Sequence, residues 1–270
     1  MALSSSANPS VFGQSVVITA SISAVAPGAG TPTGTVAFSE GATNLGSANP
    51  TNGQASLTLS ALAIGSHSIT ASYAGDGNFN SSSSTLAQTV NKGSTATTLS
   101  SSANPSTLSQ SVTFTATVNV VAPGAGTPTG SVTFNDGTNS LATVSLSSSG
   151  TATFTTSALA VNSHSITAVY SGDASFTGST GSITQNVQYG ICAQYDQARS
   201  VQGGATFPIK VQVCDADGNN LSSPSIVLHA TAILAASGVA GPVRTPATPT
   251  RITTSATLAA RARTLATSSI

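Results

Sequence analysis

The chain has very few charged residues. Only 5% of its 270 residues are Asp, Glu, Lys or Arg, against about 25% in ordinary soluble domains. Residues 1–188 contain four acids against a single base, Lys92, hence a net charge of −3. Nucleic-acid binding requires several Lys or Arg side chains that neutralise phosphates. The composition therefore excludes nucleic acid as a partner.

Aromatic residues, lysines and long apolar runs are also scarce. The chain has no Trp and four Tyr, which disfavours an aromatic platform for sugar rings. Lys92 is the only lysine before Lys210, so an internal Lys–Asn isopeptide bond in each domain of residues 1–188 is excluded. No run reaches the roughly 18 apolar residues of a membrane helix. The start, MALSSSANPS, lacks the basic and apolar segments of a signal peptide, so we expect either a cytosolic protein or an internal piece of a longer exported one.

The chain does have a long internal repeat. The stretch SSSANPS at 4–10 returns at 100–106, and APGAGTPTG at 26–34 returns at 122–130. Repeats of about 20 to 50 residues are typical of solenoids, whereas these copies are 96 residues apart, which is the length of a whole domain. The sequence predicts consecutive domains at residues 1–92 and 93–188.

Polar and apolar residues alternate through both copies. In SVTFTATV, the residues Val112, Phe114, Ala116 and Val118 lie on one face and threonines lie on the other. Such alternation is typical of half-buried antiparallel strands, and Pro, Gly and Asn clusters separate the strands. The sequence therefore predicts an all-β protein of two antiparallel sandwiches.

The motif order SSSANPS, GQSV, GTPTG, SALA, SHSIT and then Y-x-G-D-x-x-F resembles the bacterial immunoglobulin-like repeats of the group 3 type. The resemblance covers nearly all of residues 1–188. It implies tandem Ig-like β-sandwiches of the kind that build secreted and cell-surface bacterial proteins. The second copy has a leading segment, KGSTATTLS from Lys92, of which the first copy lacks most, so we expect a truncated first strand and a less stable first domain.

The remaining residues differ in composition from the repeats. Residues 189–231 are interpreted as an incomplete β module, the start of a further Ig-like module, with strands FPIKVQVC and SIVLHAT on either side of DADGNNLSSP. Residues 232–270 contain four Arg and no acid. This tail has three interpretations: a cationic wall-binding tail, a short helix, or a frame-shifted translation. We favour the frame shift and expect the tail to be disordered or weakly packed.

Each repeat contains one candidate site in the motif Y-x-G-D-x-x-F. Tyr73 with Asp76, and Tyr170 with Asp173, are predicted to form a structural corner in which a tyrosine hydroxyl ties down a neighbouring connection, as in Ig-like sandwiches. The alternative is a calcium site. Calcium takes six to eight oxygens, usually from several carboxylates, and each repeat has only two acids, so we predict no metal and no cofactor.

Two further motifs favour structural roles over chemical ones. His67 and His164 begin strands in SHSIT, where adjacent Ser and His side chains point to opposite faces, and no carboxylate is near in sequence to orient the ring. We interpret both as histidines that bond a loop. The stretch DADGNN (Asp215 to Asn220) lacks the further ligands of a calcium loop and is predicted to be a hairpin turn.

Cys192 and Cys214 are predicted to form a disulfide bond if the protein is exported. Cys214 shares the polar face of its strand with Lys210 and Gln212, so it is not an ordinary core cysteine. Closing this loop would contribute roughly 3 kcal/mol in the chain-entropy model. Two free thiols remain the alternative.

Two functions follow from these patterns. The first is a non-catalytic spacer or stalk in a secreted or surface-anchored bacterial protein, whose partners are neighbouring Ig-like modules. The second is an adhesin-type module that recognises a host or neighbour-cell surface protein, or a glycan, through its loops. No residue set supports an enzyme.

Overall fold

The computed structural model describes residues 1–193 and 211–222. These residues form strands, turns and loops, and the part so described contains no helix. The predicted all-β class is confirmed. Residues 194–210 and 223–270 lie outside the described part, and with them lie the predicted strand SIVLHAT and the tail at 232–270.

The first repeat is a sandwich of two antiparallel sheets. One sheet has the order β1-β3-β6 and the other the order β2-β8-β7-β4-β5, where only the β2–β8 contact is parallel. The strands are β1 (Ala2–Ser5), β2 (Ser10–Val11), β3 (Val16–Ser21), β4 (Val36–Glu40), β5 (Thr43–Ala48), β6 (Gln54–Leu59), β7 (Gly65–Tyr73) and β8 (Ser82–Asn91).

Strict alternation places the core of this sandwich between its sheets. In β3 the residues Val16, Ile18 and Ala20 are fully buried, while their neighbours on the strand face outward. The opposite sheet contributes Phe38, which pairs with Ala71 across β4 and β7. Because side chains point to alternate faces of a strand, a shift of one residue would expose this whole set.

The second repeat has the same strand order. Its sheets are β14-β11-β9 and β10-β16-β15-β12-β13. The strands are β9 (Thr95–Ser101), β10 (Ser106–Thr107), β11 (Val112–Val120), β12 (Ser131–Asp136), β13 (Asn139–Ser145), β14 (Thr151–Thr156), β15 (Ser163–Gly172) and β16 (Thr177–Gln188). Phe134 pairs with Ala168 as Phe38 pairs with Ala71, and β1 keeps four residues where its counterpart β9 has seven.

A short hairpin follows the second repeat. Here β17 (Gly190–Ala193) pairs antiparallel with β18 (Val211–Cys214), in a register that joins Cys192 to Gln212. The expected partner of β18 was SIVLHAT, at residues 225–231. That segment lies outside the described residues, and within them β18 pairs with β17.

The chain forms two compact units. The first contains Met1–Ser100, Thr115–Phe154 and Ile166–Ile183. It therefore holds the whole first repeat together with three segments of the second repeat. The second unit contains Ser101–Phe114, Thr155–Ser165 and the described residues from Thr184 onward.

Candidate functional site

The first candidate site is a corner at the end of β7, built around the Asp76 carboxylate. Its Oδ2 accepts hydrogen bonds from the backbone N–H and the hydroxyl of Thr33, both at 2.8 Å. Its Oδ1 accepts from the N–H groups of Asn78 and Phe79, again at 2.8 Å. One side chain thus fixes its own turn and also holds the connection that leads into β4.

The second repeat contains the same corner. Oδ2 of Asp173 accepts from the N–H and the hydroxyl of Thr129, both at 2.8 Å. Its Oδ1 accepts from the N–H groups of Ser175 and Phe176, both at 2.7 Å. The two corners are therefore equivalent bond for bond.

These hydrogen bonds control the charge of both aspartates. The pKa of Asp76 is well below its usual range, and the leading cause is the hydrogen bond from the Thr33 backbone. For Asp173, burial acts to raise the pKa, but the bonds from Thr129, Ser175 and Phe176 outweigh it and lower the pKa to about 2. A carboxylate that accepts several N–H bonds is stabilised in its charged form.

The tyrosines of the motif are buried beside the aspartates of the corner. Tyr73 and Tyr170 are each only 1% exposed, and in the part of the chain that the structure describes their buried hydroxyls have no partner with hydrogen-bond geometry. Burial, followed by the nearby Asp173 charge, raises the pKa of Tyr170 to about 12. Burial likewise raises the pKa of Tyr73. Each aspartate ties down the neighbouring connection with two accepted hydrogen bonds, and the tie by the tyrosine hydroxyl stays a prediction.

The hydrogen bonds that Asp76 and Asp173 accept also bear on whether the corner could bind calcium. An ionised carboxylate offers about four lone-pair positions, and in each corner four N–H or O–H donors point at them. Residues 1–193 and 211–222 contain no group of three His, Cys, Asp or Glu that could hold a metal ion. The corner can position backbone, and its oxygens are already engaged in doing so.

A histidine–glutamate pair in the first repeat was not expected from the sequence. Nδ1 of His67 lies 2.9 Å from Oε1 of Glu40, and Nε2 lies 2.8 Å from the Ala63 carbonyl oxygen. The Ala63 carbonyl, with a further contribution from Glu40, raises the pKa of His67. His164 keeps the loop contact, with Nε2 at 2.8 Å from the Ala160 carbonyl. Glu40 is distant in sequence from His67, and only the pairing of β4 with β7 brings them together.

The connection from β8 to β9 is bonded to the loop that the second corner shapes. The Gly93 N–H donates to the Ser175 carbonyl at 3.0 Å, and the Gly93 carbonyl accepts from the Thr177 N–H at 2.9 Å. Lys92 Nζ donates to the Asp173 carbonyl. All of these residues belong to the first compact unit. The linking segment is therefore held through its backbone.

A turn in the first repeat completes this junction. The Phe12 ring meets the Phe176 ring edge-on, with centroids 5.6 Å apart, a geometry that aromatic pairs favour. The Phe12 carbonyl accepts from the Ala125 N–H at 3.3 Å. Gly13 has φ +76°, and a Cβ there would lie 2.1 Å from the Ala125 carbonyl oxygen. The contact is so close that only glycine fits.

A related contact follows the second repeat, within the second compact unit. The carbonyl of Leu108, the counterpart of Phe12, accepts from the Ala216 N–H at 2.9 Å. Cys192 and Cys214 are joined by a disulfide bond on β17 and β18. The DADGNN stretch is a tight turn, in which Asp215 accepts from the N–H groups of Asp217 and Asn219 and Gly218 has φ +82°.

Sequence reasoning missed these junction contacts. It treated the APGAG stretches only as loops between strands. The signal that could have indicated them is that both repeats have an apolar residue in the same turn and a phenylalanine in the same loop. The turn residues are Phe12 and Leu108, and the loop residues are Phe79 and Phe176.

The fold and the repeated corner define two Ig-like sandwiches in tandem. The model of the family described as bacterial Ig-like domain (group 3) matches residues 3–91 and again residues 99–188. The chain belongs to this family, which confirms the resemblance drawn from the sequence motifs. Domains of this family are structural or binding domains.

Three solved structures are similar to the chain at low identity. The fibronectin(III)-like modules of Clostridium thermocellum CbhA are 16% identical, with a TM-score of 0.28, and the match covers 69% of this chain and 93% of that chain. The titin domains Z1Z2 in complex with telethonin are 16% identical, with a TM-score of 0.36 and coverages of 70% and 97%. The Yersinia pseudotuberculosis adhesin InvE is 16% identical, with a TM-score of 0.33 and coverages of 69% and 58%.

All three TM-scores are below 0.5. The curated proteins contain no match. Within residues 1–193 and 211–222, no helix has the length and apolarity needed to cross a membrane.

Acid should destabilise the second repeat through Asp173. Its pKa is about 2 in the folded state and roughly 3.9 in an unfolded chain. Since the folded value is the lower one, the carboxylate contributes stability that is fully present above about pH 4 and is lost as the pH falls through about 2. Compared with the wild type, Asp173→Asn should melt lower at pH 7 and lose less stability between pH 4 and pH 2. Calorimetry between pH 2 and pH 7 measures both differences, and Asp217→Asn, at an exposed turn, is the control. If the wild type and Asp173→Asn lose the same stability in acid, the prediction is wrong.

Replacing Gly13 with alanine should lower the free energy of unfolding by more than backbone strain alone would. Gly41 is the matched control, because it has φ +56° and no neighbouring atom would lie within 4 Å of a Cβ added there. Both substitutions force alanine into the left-handed region at roughly 1–2 kcal/mol, but only Gly13→Ala also drives a Cβ into the Ala125 backbone. Urea denaturation should show the larger loss for Gly13→Ala. Equal losses would mean that the junction contact is absent in solution.

Proposed function

We propose that this chain is a non-catalytic spacer of tandem Ig-like modules in a secreted or cell-surface bacterial protein. The observation that carries the proposal is the bonded linker. Gly93 uses both its N–H and its carbonyl on the loop at Ser175–Thr177, so the segment between the two family matches is held in place instead of being a free tether.

The use of polar groups in both repeats supports the same function. The corner carboxylates accept from backbone and threonine donors, and the buried amide of Gln88 donates to Ala7, Ser10 and Thr89. Gln185 donates in the same way in the second repeat. These side chains stabilise backbone, and the two repeats share them residue for residue.

The disulfide supports the location. Disulfide bonds persist in oxidising compartments such as the cell exterior and are rare in the cytosol. The Cys192–Cys214 bond is therefore what an exported protein would contain. Because the chain has few charged residues and salt screens only charges, the stability of contacts between modules should depend little on salt concentration.

A spacer must carry load module by module, which a stretching experiment can measure. The matched segments, 3–91 and 99–188, should unfold in two discrete steps that each release roughly 300 Å of chain, since an extended residue spans at most about 3.6 Å. A single-molecule force measurement on the whole chain checks this. Adding a reductant is the control, because it opens the Cys192–Cys214 loop and should leave both steps unchanged.

The spacer proposal fails if the chain extends gradually without two equal steps. The adhesin alternative is tested separately, by immobilising the whole chain and probing it with panels of glycans and cell-surface proteins. Saturable binding to one partner would favour the adhesin over the spacer.

A further inference from the structure

Both repeats have an equivalent surface that can receive a linking turn. Within the described residues, a linking turn covers this surface in the second repeat only. In the second repeat this surface consists of Val121, residues 124–126 and the loop 175–177. It contacts the linking turn of the first repeat, which we define as residues 10–13 together with Gly93. The counterparts in the first repeat are Val25, residues 28–30 and the loop 78–80. The stretch APGAG is identical in both.

Exposure differs between the two copies of this surface. Phe176 is 1% exposed and Val121 is 44% exposed, whereas Val25 is 86% exposed and Phe79 is half-buried. Val25 and Phe79 also line a cavity of about 680 Å³, together with Ile22, Tyr73 and residues 28–32. Apolar surface of this kind that is covered in one repeat and open in its twin points to an absent occupant.

Backbone groups of the first surface match those that the linking turn uses on the second. There the Ala125 N–H, the Ser175 carbonyl and the Thr177 N–H bond to the turn. Their counterparts are the Ala29 N–H, the Asn78 carbonyl and the Asn80 N–H. Within the described residues these three groups have no hydrogen-bond partner. They are two donors and one acceptor in the pattern that a linking turn requires.

The linking turn itself occurs twice, which defines the chemistry of the occupant. Phe12 N–H bonds to the Asn91 carbonyl, and Leu108 N–H bonds to the Gln188 carbonyl. In each case the carbonyl of the same residue accepts from the module that follows, from Ala125 or from Ala216. A glycine ends each turn, at Gly93 and Gly190, where a Cβ would come within 3.0 Å of the next module's atoms.

We propose that the Val25–Phe79 surface of the first repeat is a docking site for the linking turn of another Ig-like module of this kind, joined in line ahead of it. The occupant is an apolar residue that directly follows a two-residue parallel bridge, with its carbonyl on Ala29 N–H, together with a glycine bonded to residues 78 and 80. The inference rests on the proposed spacer function only in that modules are linked in series. The stretching experiment tests that function, and its result does not depend on whether this surface binds a linking turn.

The test is a fusion onto the whole chain. Residues 95–190, which carry the Leu108 turn and end on Gly190, are placed ahead of Met1 through Ser-Thr-Ala, the tripeptide that follows Gly93. Peptides that extend beyond the identical stretch 26–34 into its differing flanks, such as residues 21–36, remain unique in this fusion, so amide hydrogen exchange can be read on them by mass spectrometry. Peptides covering residues 26–32 and 77–82 should exchange about tenfold more slowly than in the unfused chain, while the β4–β5 hairpin at residues 39–44 should not change.

Two variants make the result specific. Gly190→Asp in the fused module only should remove the protection, because its side chain would collide with the loop at 78–80. Val25→Asp should also remove it, yet should leave the melting temperature of the unfused chain unchanged, since Val25 is 86% exposed there. Absence of protection in the parent fusion would overturn the proposal, and so would protection in both variants that equals the protection in the parent fusion.

Discussion

The corner aspartate is the contact on which the rest of the structure depends. A loop that crosses the end of a sandwich must satisfy its backbone N–H groups, and an unpaired buried group costs about 1–3 kcal/mol. Asp173 satisfies those of Thr129, Ser175 and Phe176 at once. It stays charged because the N–H bonds outweigh the burial that opposes them. A sequence with four acids in its first 188 residues therefore commits half of them to this one task.

The same contact determines how one module meets the next. By holding the N–H groups of Ser175 and Phe176, Asp173 leaves the Ser175 carbonyl free to accept from Gly93, and it presents the Phe176 ring to Phe12. The junction is thus an extension of the corner. This explains why the corner and the APGAG stretch are repeated together: a module needs the first to build its own loop and the second to receive the preceding linker.

The sequence predicted what depends on short-range periodicity. Alternation at Val112, Phe114, Ala116 and Val118 indicated a strand on which these four residues are buried, and the spacing of Tyr170 and Asp173 located the corner. It did not predict the partners of the corner, because Thr129 lies 44 residues before Asp173 and only the strand pairing brings them together. The His67–Glu40 pair was missed for the same reason. The motif also did not show that the carboxylate itself accepts from four donors, since a motif does not show which polar atom reaches the donors.

The most direct test of this account is a double-mutant cycle between Asp173→Asn and Phe12→Ala, measured by equilibrium unfolding of the whole chain. Asp173 and Phe12 lie in different repeats, and the only link that the account assigns to them is the loop that carries Phe176. If the corner builds the junction, the two losses overlap and the double mutant is more stable than the sum of the single losses implies, by about 0.5 kcal/mol or more. Additive losses would show that the corner and the junction are independent and would contradict the account.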